Sequence, residues 1–238
     1  MPKEFDLHGH TREGSWWELV NYDILSALRR AKEIGLDGVA ITQHWTLAGI
    51  DTALNLAQKE GIIVVPGVEL SARVGLQAPH IIALGITPEQ IQGKNETLPF
   101  LWSPKDTISW IHDHGAVAIA PHPYEKPNHI SLSHQQVREL NSNFDGIETV
   151  TSLGVNREMA DFAHKQQIAQ IGSSDFHMLA QIGIAATQVP DSVTTWQDLI
   201  ETIQNKQTQA FIKTQVPEKL QKARGFSVLL QQIIGVRM

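Results

Sequence analysis

The chain has 238 residues, 42% hydrophobic and 18% charged, with a formal net charge of -6. That is the profile of an ordinary globular protein with enough chain for one large core, and its acidity disfavours general polyanion binding. It has no cysteine, which excludes disulfides, thiolate metal sites and cysteine nucleophiles, so any metal site must be built from His, Asp and Glu.

Apolar spacing at Val20, Ile24, Leu28 and Ala31 predicts a helix over 19–34, with Ser15 and Glu18 as its capping box and Gly35 as its stop. A buried strand at 38–42, a helix at 50–60 and a strand at 62–65 follow. Residues 68–72 and 80–86 read as a hairpin or an extended crossover. A surface loop is expected over 92–104. Ser103-Pro104 then starts a helix that ends at Gly115. Strands are expected at 116–120, 146–150, 168–172, 183–188 and 210–212, and helices at 133–140, 155–167 and 195–205. A last helix is expected after Pro217. About seven strand-helix units argue for a parallel sheet closed into one barrel spanning 1–238. In such a barrel, chemistry gathers at the C-terminal ends of the strands. The N-terminus has no apolar signal core, and no apolar run is long enough to span a bilayer, so a cytoplasmic location is the default expectation.

Of the eleven histidines, the ones that matter follow, end or begin predicted strands. His8 and His10 are two apart after Phe5-Asp-Leu7, a spacing that turns both imidazoles to one side of an extended segment. Asp175 and His177 repeat that spacing. His44, Glu69, His80 and His122 complete the set. A lone His-x-His is a weak signal, and a histidine inside an apolar strand, as at His80, is more often a satisfied core residue. Eight such coincidences at one set of strand ends outweigh the bland reading. The donors suit zinc, manganese or iron. They exceed the need of one ion, and Glu69 is placed to bridge two. His112 and His114 sit in a last helical turn, His129 and His134 in loop or helix-start surroundings, and His164 on a helix, so none of these five is expected to bind metal.

These segments resemble the PHP family, named for polymerase and histidinol phosphatase domains. The resemblance rests on Asp6-Leu-His-Gly-His-Thr11, Ile41-Thr-Gln-His44, Pro66-Gly-Val-Glu69, His80, His122-Pro123 and Ser173-Ser-Asp-Phe-His177. It implies an α/β fold, a distorted seven-stranded (β/α)7 TIM-like barrel, with two or three divalent ions. By that resemblance His8, His10, Glu69 and Asp175 hold a first ion. Glu69, His80 and His122 hold a second. His44, His177 and Glu13 share a third. Gln43, Glu13-Gly14 and Met178 depart from residues common among relatives.

The implied activity is hydrolysis of a phosphate ester of a small molecule or nucleotide by a metal-bridging hydroxide. Glu69, Asp175 and His177 are its catalytic candidates, and Arg12 and Lys126 its candidate phosphate-binding cations; Arg73 and Arg157 also lie near strand ends. Trp16 and Trp17 are placed to stack on a base or to pack the barrel mouth. The competing readings are an amidohydrolase, which Glu69 in the bridging place disfavours, and a non-catalytic accessory barrel, which the near-complete ligand set disfavours. There is no strong nucleic-acid signal, no basic track being present.

Overall fold

In the computed structural model, residues 1–14, 20–94, 96–126 and 129–213 are described. The Ser15/Glu18 box, Trp16, Trp17 and the helix expected after Pro217 lie outside them. Strand β1 (Lys3–Asp6) pairs in parallel with β2 (Gly38–Ile41), and β2 with β3 (Ile63–Ser71). Between them run α1 (Ile24–Glu33) and α2 (Ile50–Glu60). Helix α1 starts later than its periodicity predicts. Asp23 is its cap, accepting the Ser26 N–H at 2.8 Å.

The expected regular alternation then breaks. β3 is nine residues long and merges the two strands expected at 62–65 and 68–72. It turns back into β4 (His80–Leu84), which is antiparallel both to β3 and to β5 (Val117–Ala120). The hairpin is thus the correct one of the two arrangements left open. A short helix, α3 (Pro88–Lys94), occupies the start of the expected surface loop. α4 (Pro104–Asp113) begins on Ser103 as its sequence dictates.

β5 pairs in parallel with β6 (Gly146–Thr151), which pairs with the short β7 (Gly154–Val155) and with β8 (Ala169–Ser173). α5 (His134–Leu140) and α6 (Arg157–Gln166) lie between these strands. Beyond β8, β9 (Ala185–Val189) returns antiparallel to β1, α7 (Trp196–Gln204) follows, and β10 (Gln209–Ile212) is antiparallel to β9. The described residues therefore form an α/β fold on a mixed sheet of ten strands, not seven parallel units.

The sheet curls until β8 meets β9, and side chains close the seam. Gly172 N–H donates to Thr187 Oγ1, whose hydroxyl donates back to Gly172 O. Ser174 Oγ exchanges the same pair of bonds with Ala185. A Cβ at Gly172 would overlap the Ala186 carbonyl, so only glycine allows this approach.

Alternation along the strands sorts the core. Ala40, Val65, Ile82, Ile119 and Ile171 meet inside the barrel, where Leu199, Ile200 and Ile203 of α7 close one end. Val39, Ile41 and Val64 face outward onto α1 and α2. With that end plugged by apolar side chains, the polar strand ends gather at the other. No helix among the described residues is long and apolar enough to cross a membrane.

Asp6 anchors the chain just before the His pair. Its carboxylate is buried and accepts Ser174 N–H and Gly183 N–H, each at 2.8 Å. Burial pushes it up to about 7 against these two bonds. Above about pH 8 the ionised group accepts both. Asp6→Asn can satisfy only one and turns an N–H toward the other. It should lower stability there by ~1–3 kcal/mol in chemical denaturation; an unchanged midpoint would refute the anchoring role.

Candidate metal centre

Six imidazoles and two carboxylates converge at the open end of the barrel. His8 and His10 follow β1, His44 follows β2, Glu69 sits within β3, His122 follows β5, and Asp175 and His177 follow β8. His80 is the first residue of β4 rather than the last. Because β4 runs antiparallel, its N-terminal end is the one that reaches the site. The rule of C-terminal strand ends therefore fails at this position.

Gly9 explains the His-Gly-His spacing. Its backbone bridges to Phe176, and a Cβ there would overlap the buried Phe176 ring. The close approach holds the two segments together, and His8 and His10 sit with Nε2 atoms 3.3 Å apart. Three residues at or beside the cluster have left-handed backbone: His122 at φ 32°, Asp175 at φ 51° and Trp45 at φ 54°. Such conformations cost ~1–3 kcal/mol each for residues with a Cβ and persist where surrounding structure holds them.

Glu69 is the hub. It is 1% exposed. Its Oε2 lies 3.2 Å from His8 Nε2, 3.3 Å from His10 Nε2 and 3.1 Å from His44 Nδ1. Its Oε1 lies 2.8 Å from His80 Nδ1 and 3.4 Å from His122 Nε2. Asp175 Oδ1 is a second hub, 3.4 Å from His8 Nε2, 3.3 Å from His10 Nε2 and 3.7 Å from His177 Nδ1. Despite three close nitrogens, Glu69 Oε2 receives no well-formed hydrogen bond. Crowded donor atoms without hydrogen-bond geometry are what a shared cation requires, and the all-N/O set suits a divalent ion of borderline hardness. The residues present fit such ions.

Four overlapping groups have the spacing to hold a cation: His8-His10-Asp175, His8-Glu69-His122, His44-Glu69-His80 and His10-His44-His177. All eight strand-end residues expected from the sequence are thus brought together. Glu13 is not. Its carboxylate turns to α1 and accepts Ile24 N–H at 3.5 Å, so His10 rather than Glu13 accompanies His44 and His177. Gln43 is a strut: its Oε1 accepts Thr11 N–H at 3.1 Å and its amide donates to Thr11 Oγ1.

The charges follow from the geometry. Burial pushes Glu69 up, but His80, His44 and His8 outweigh it and hold the carboxyl well below its usual range. Asp175 is likewise held well below, against burial, chiefly by His8. His8 is drawn well above its ordinary value by Asp175, Glu69 and Glu148 despite burial. Burial carries His44 well below, and burial with His10 carries His177 down to about 4.

Of the cations, Arg12 is 59% exposed and lies 3.4 Å from Asp23 and 3.7 Å from Glu13. Lys126 is exposed on the loop after His122. Beside His122 and Glu148 opens a cavity of about 440 Å³, also lined by Tyr124, Leu153, Asn156 and Arg157.

Sequence reasoning missed Glu148. It is buried in β6, its Oε1 lies 2.9 Å from His8 Nδ1, and its Oε2 accepts His122 N–H at 2.7 Å. Ser173 Oγ also donates to it. With Nδ1 held this way, His8 presents Nε2 to the cluster. The available signal was a carboxylate at an interior position of the apolar run Gly146–Val150. Ser131 serves His122 likewise, its Oγ 2.8 Å from Nδ1. Glu148→Gln keeps one acceptor and sets an amide N–H against another donor. It should weaken metal binding ~10- to 100-fold in competition with a chelator; undiminished affinity would remove Glu148 from the centre.

The PHP-associated family matches residues 154–208. An uncharacterised protein of Methanocaldococcus jannaschii is 36% identical over 126 residues, covering 50% of this chain and 67% of that protein. A 5'-3' exoribonuclease of Haemophilus influenzae is 35% identical over 88 residues, covering 35% of this chain and 29% of the exoribonuclease. Among solved structures, a two-domain Bacteroides vulgatus protein containing a predicted PHP-like metal-dependent phosphoesterase superposes with a TM-score of 0.70. That match has 19% identity and covers 89% of this chain and 65% of the other, a likeness of fold. With a family match at its C-terminal third and a relative aligned over half its length, the chain belongs to the PHP family.

Proposed function

We propose that the chain, as one PHP-type barrel, is a metal-dependent phosphoesterase hydrolysing a phosphate ester of a small molecule or nucleotide. The observation that carries this reading is the buried Glu69 carboxylate with five imidazoles around its two oxygens. No cysteine is available as a nucleophile. Two or three ions of zinc, manganese or iron, when bound, would bring the pKa of water toward ~7 and neutralise charge on a phosphoryl oxygen.

The chain's own residues do the rest. Glu69 offers one oxygen to His8, His10 and His44 and the other to His80 and His122, the arrangement of a bridge. Asp175 closes the His8-His10 side. At neutral pH Asp175 is ionised and His177 neutral, the forms a ligand needs, which favours that role over proton donation. Glu148 and Ser131 hold the rings of His8 and His122 in orientation. The cavity beside His122 is of the size that takes a small organic phosphate. Lys126 and Arg12 are the cations for its anionic oxygens. Arg12 is free to do so because an exposed ion pair such as that with Asp23 holds it weakly.

The exoribonuclease name of the Haemophilus influenzae relative favours a nucleotide, or the end of a ribonucleic acid, within this class.

A panel of phosphomonoesters, nucleotides and short oligonucleotides, assayed with manganese and zinc added separately, tests the reading. Hydrolysis should appear only with metal. A protein that neither carries nor takes up a transition metal would sink it. Glu69→Gln should lose bound metal and more than ~100-fold in turnover, since even outer partners of metal sites are worth ~10- to 100-fold. Full metal content with retained turnover would refute the bridging role.

A further inference from the structure

An aromatic pair rises from the rim of the centre. The Trp45 ring lies 5.4 Å from that of His44. Phe100 meets Trp45 edge-to-face, with centroids 5.7 Å apart and planes at 86°. Phe100 is 56% exposed and Trp102, two residues on, 44%. A large aromatic ring as exposed as Phe100, packed on one that borders the cluster, is a cost in water unless something covers it.

One residue of β3 holds both ring-bearing segments. Ser71 lies two positions beyond Glu69 and opposite His80 in the β3–β4 register. Its Oγ accepts the Trp45 indole N–H at 2.8 Å, and its carbonyl accepts Leu101 N–H at 2.9 Å. Arg73 N–H donates to Trp102 O at 2.7 Å, lacing the same loop just beyond the end of β3. Trp45 N–H donates to Glu69 O at 3.0 Å. Both ring-bearing segments also hold left-handed residues, Trp45 at φ 54° and Leu101 at φ 56°. A bulky side chain rarely adopts this backbone, and it persists here because the strand fixes it on both sides. The rings are thereby indexed to Glu69 and His80.

The geometry points to a nucleobase-binding platform: Trp45 and Phe100 stack the base of a nucleotide whose phosphate lies at the metal centre. This rests on the phosphoesterase reading and adds the part of the substrate that the centre does not touch. Two rings at right angles form a corner in which a flat heterocycle lies on one face and against the other's edge. Stacking of this kind tolerates any base. Arg73, two residues beyond the end of β3, is exposed and is the cation nearest in sequence to Ser71. The shared ligand is a nucleobase, either of a mononucleotide or at the end of a single strand.

Phe100→Ala, Phe100→Leu and Phe100→Trp variants of the metal-loaded protein test this. The readouts are KM for adenosine monophosphate against ribose 5-phosphate, and affinity for adenosine and for a short oligoadenylate by calorimetry. Alanine and leucine should raise the ratio of the two KM values about tenfold, within what one base stack supplies. They should weaken adenosine equally, and tryptophan should restore both. A larger loss on oligoadenylate assigns the base to a strand end, and equal losses assign it to a mononucleotide. An unchanged ratio, or rescue by leucine, overturns the platform. So does a dimer that the alanine variant dissociates, which would make a second copy the occupant. If neither ester is hydrolysed under any metal, the phosphoesterase reading fails, while the adenosine titration still decides the platform.

Discussion

The structure depends on the burial of the Glu69 carboxylate. An ionised carboxylate taken out of water costs several kcal/mol even after the protein relaxes, and partners must offset that cost. Here they are imidazoles drawn from four strands or their flanking loops: His8 and His10 from β1, His44 from β2, His80 from β4 and His122 from β5. Nothing local in β3 could supply them. The barrel must close and its other end must be plugged by α7 before this charge is tolerable. Asp6 contributes from behind by fixing the turn between Ser174 and Gly183.

Imidazole and carboxylate can satisfy one another only partly in this arrangement. Glu69 Oε2 has three nitrogens at 3.1–3.3 Å and no well-formed hydrogen bond. A cluster selected for stability alone would align these donors or replace them with apolar side chains, since a buried ionic group is seldom more stable than its hydrophobic substitute. The left-handed backbone at His122 and Asp175 runs the same way, because both positions spend conformational energy to direct a side chain inward. Misaligned donors and strained carriers at one place are hard to explain by packing.

How much of this was legible in the sequence depended on whether the cause was local. Ile50–Glu60 matches its expected bounds, and α4 starts on Ser103-Pro104, because periodicity, caps and proline act within one turn. The eight converging residues were legible because each falls at or near a strand end and the resemblance ordered them. The reversal at β4 was legible only as one of two arrangements, hairpin or crossover, because parallel and antiparallel apolar strands share one composition. β3 runs unbroken through Pro66-Gly67, between the two strands expected at 62–65 and 68–72, because the barrel supplies pairing partners on both sides. Glu148 was hidden by its apolar neighbours. Glu13 was assigned by the family resemblance, but the chain at Gly14 packs against Gln43, and the carboxylate ends at the start of α1.

That last displacement alters the character of one end of the centre. With Glu13 turned away and Gln43 engaged with Thr11, the group His10-His44-His177 has no carboxylate of its own. The other three groups each include Glu69 or Asp175. Three imidazole ligands leave compensation of a bound cation's charge to the neighbouring Glu69 and Asp175, whereas a carboxylate ligand cancels part of it directly. They also favour borderline ions over the hard, oxygen-seeking magnesium. On the proposed reading, the anionic oxygens of a phosphate would be the missing negative charge. His44 belongs to this group, and the Trp45 ring stands beside it. The group without a carboxylate of its own and the aromatic rim therefore coincide, and on the proposed reading that is where a nucleotide would present first its phosphate and then its base.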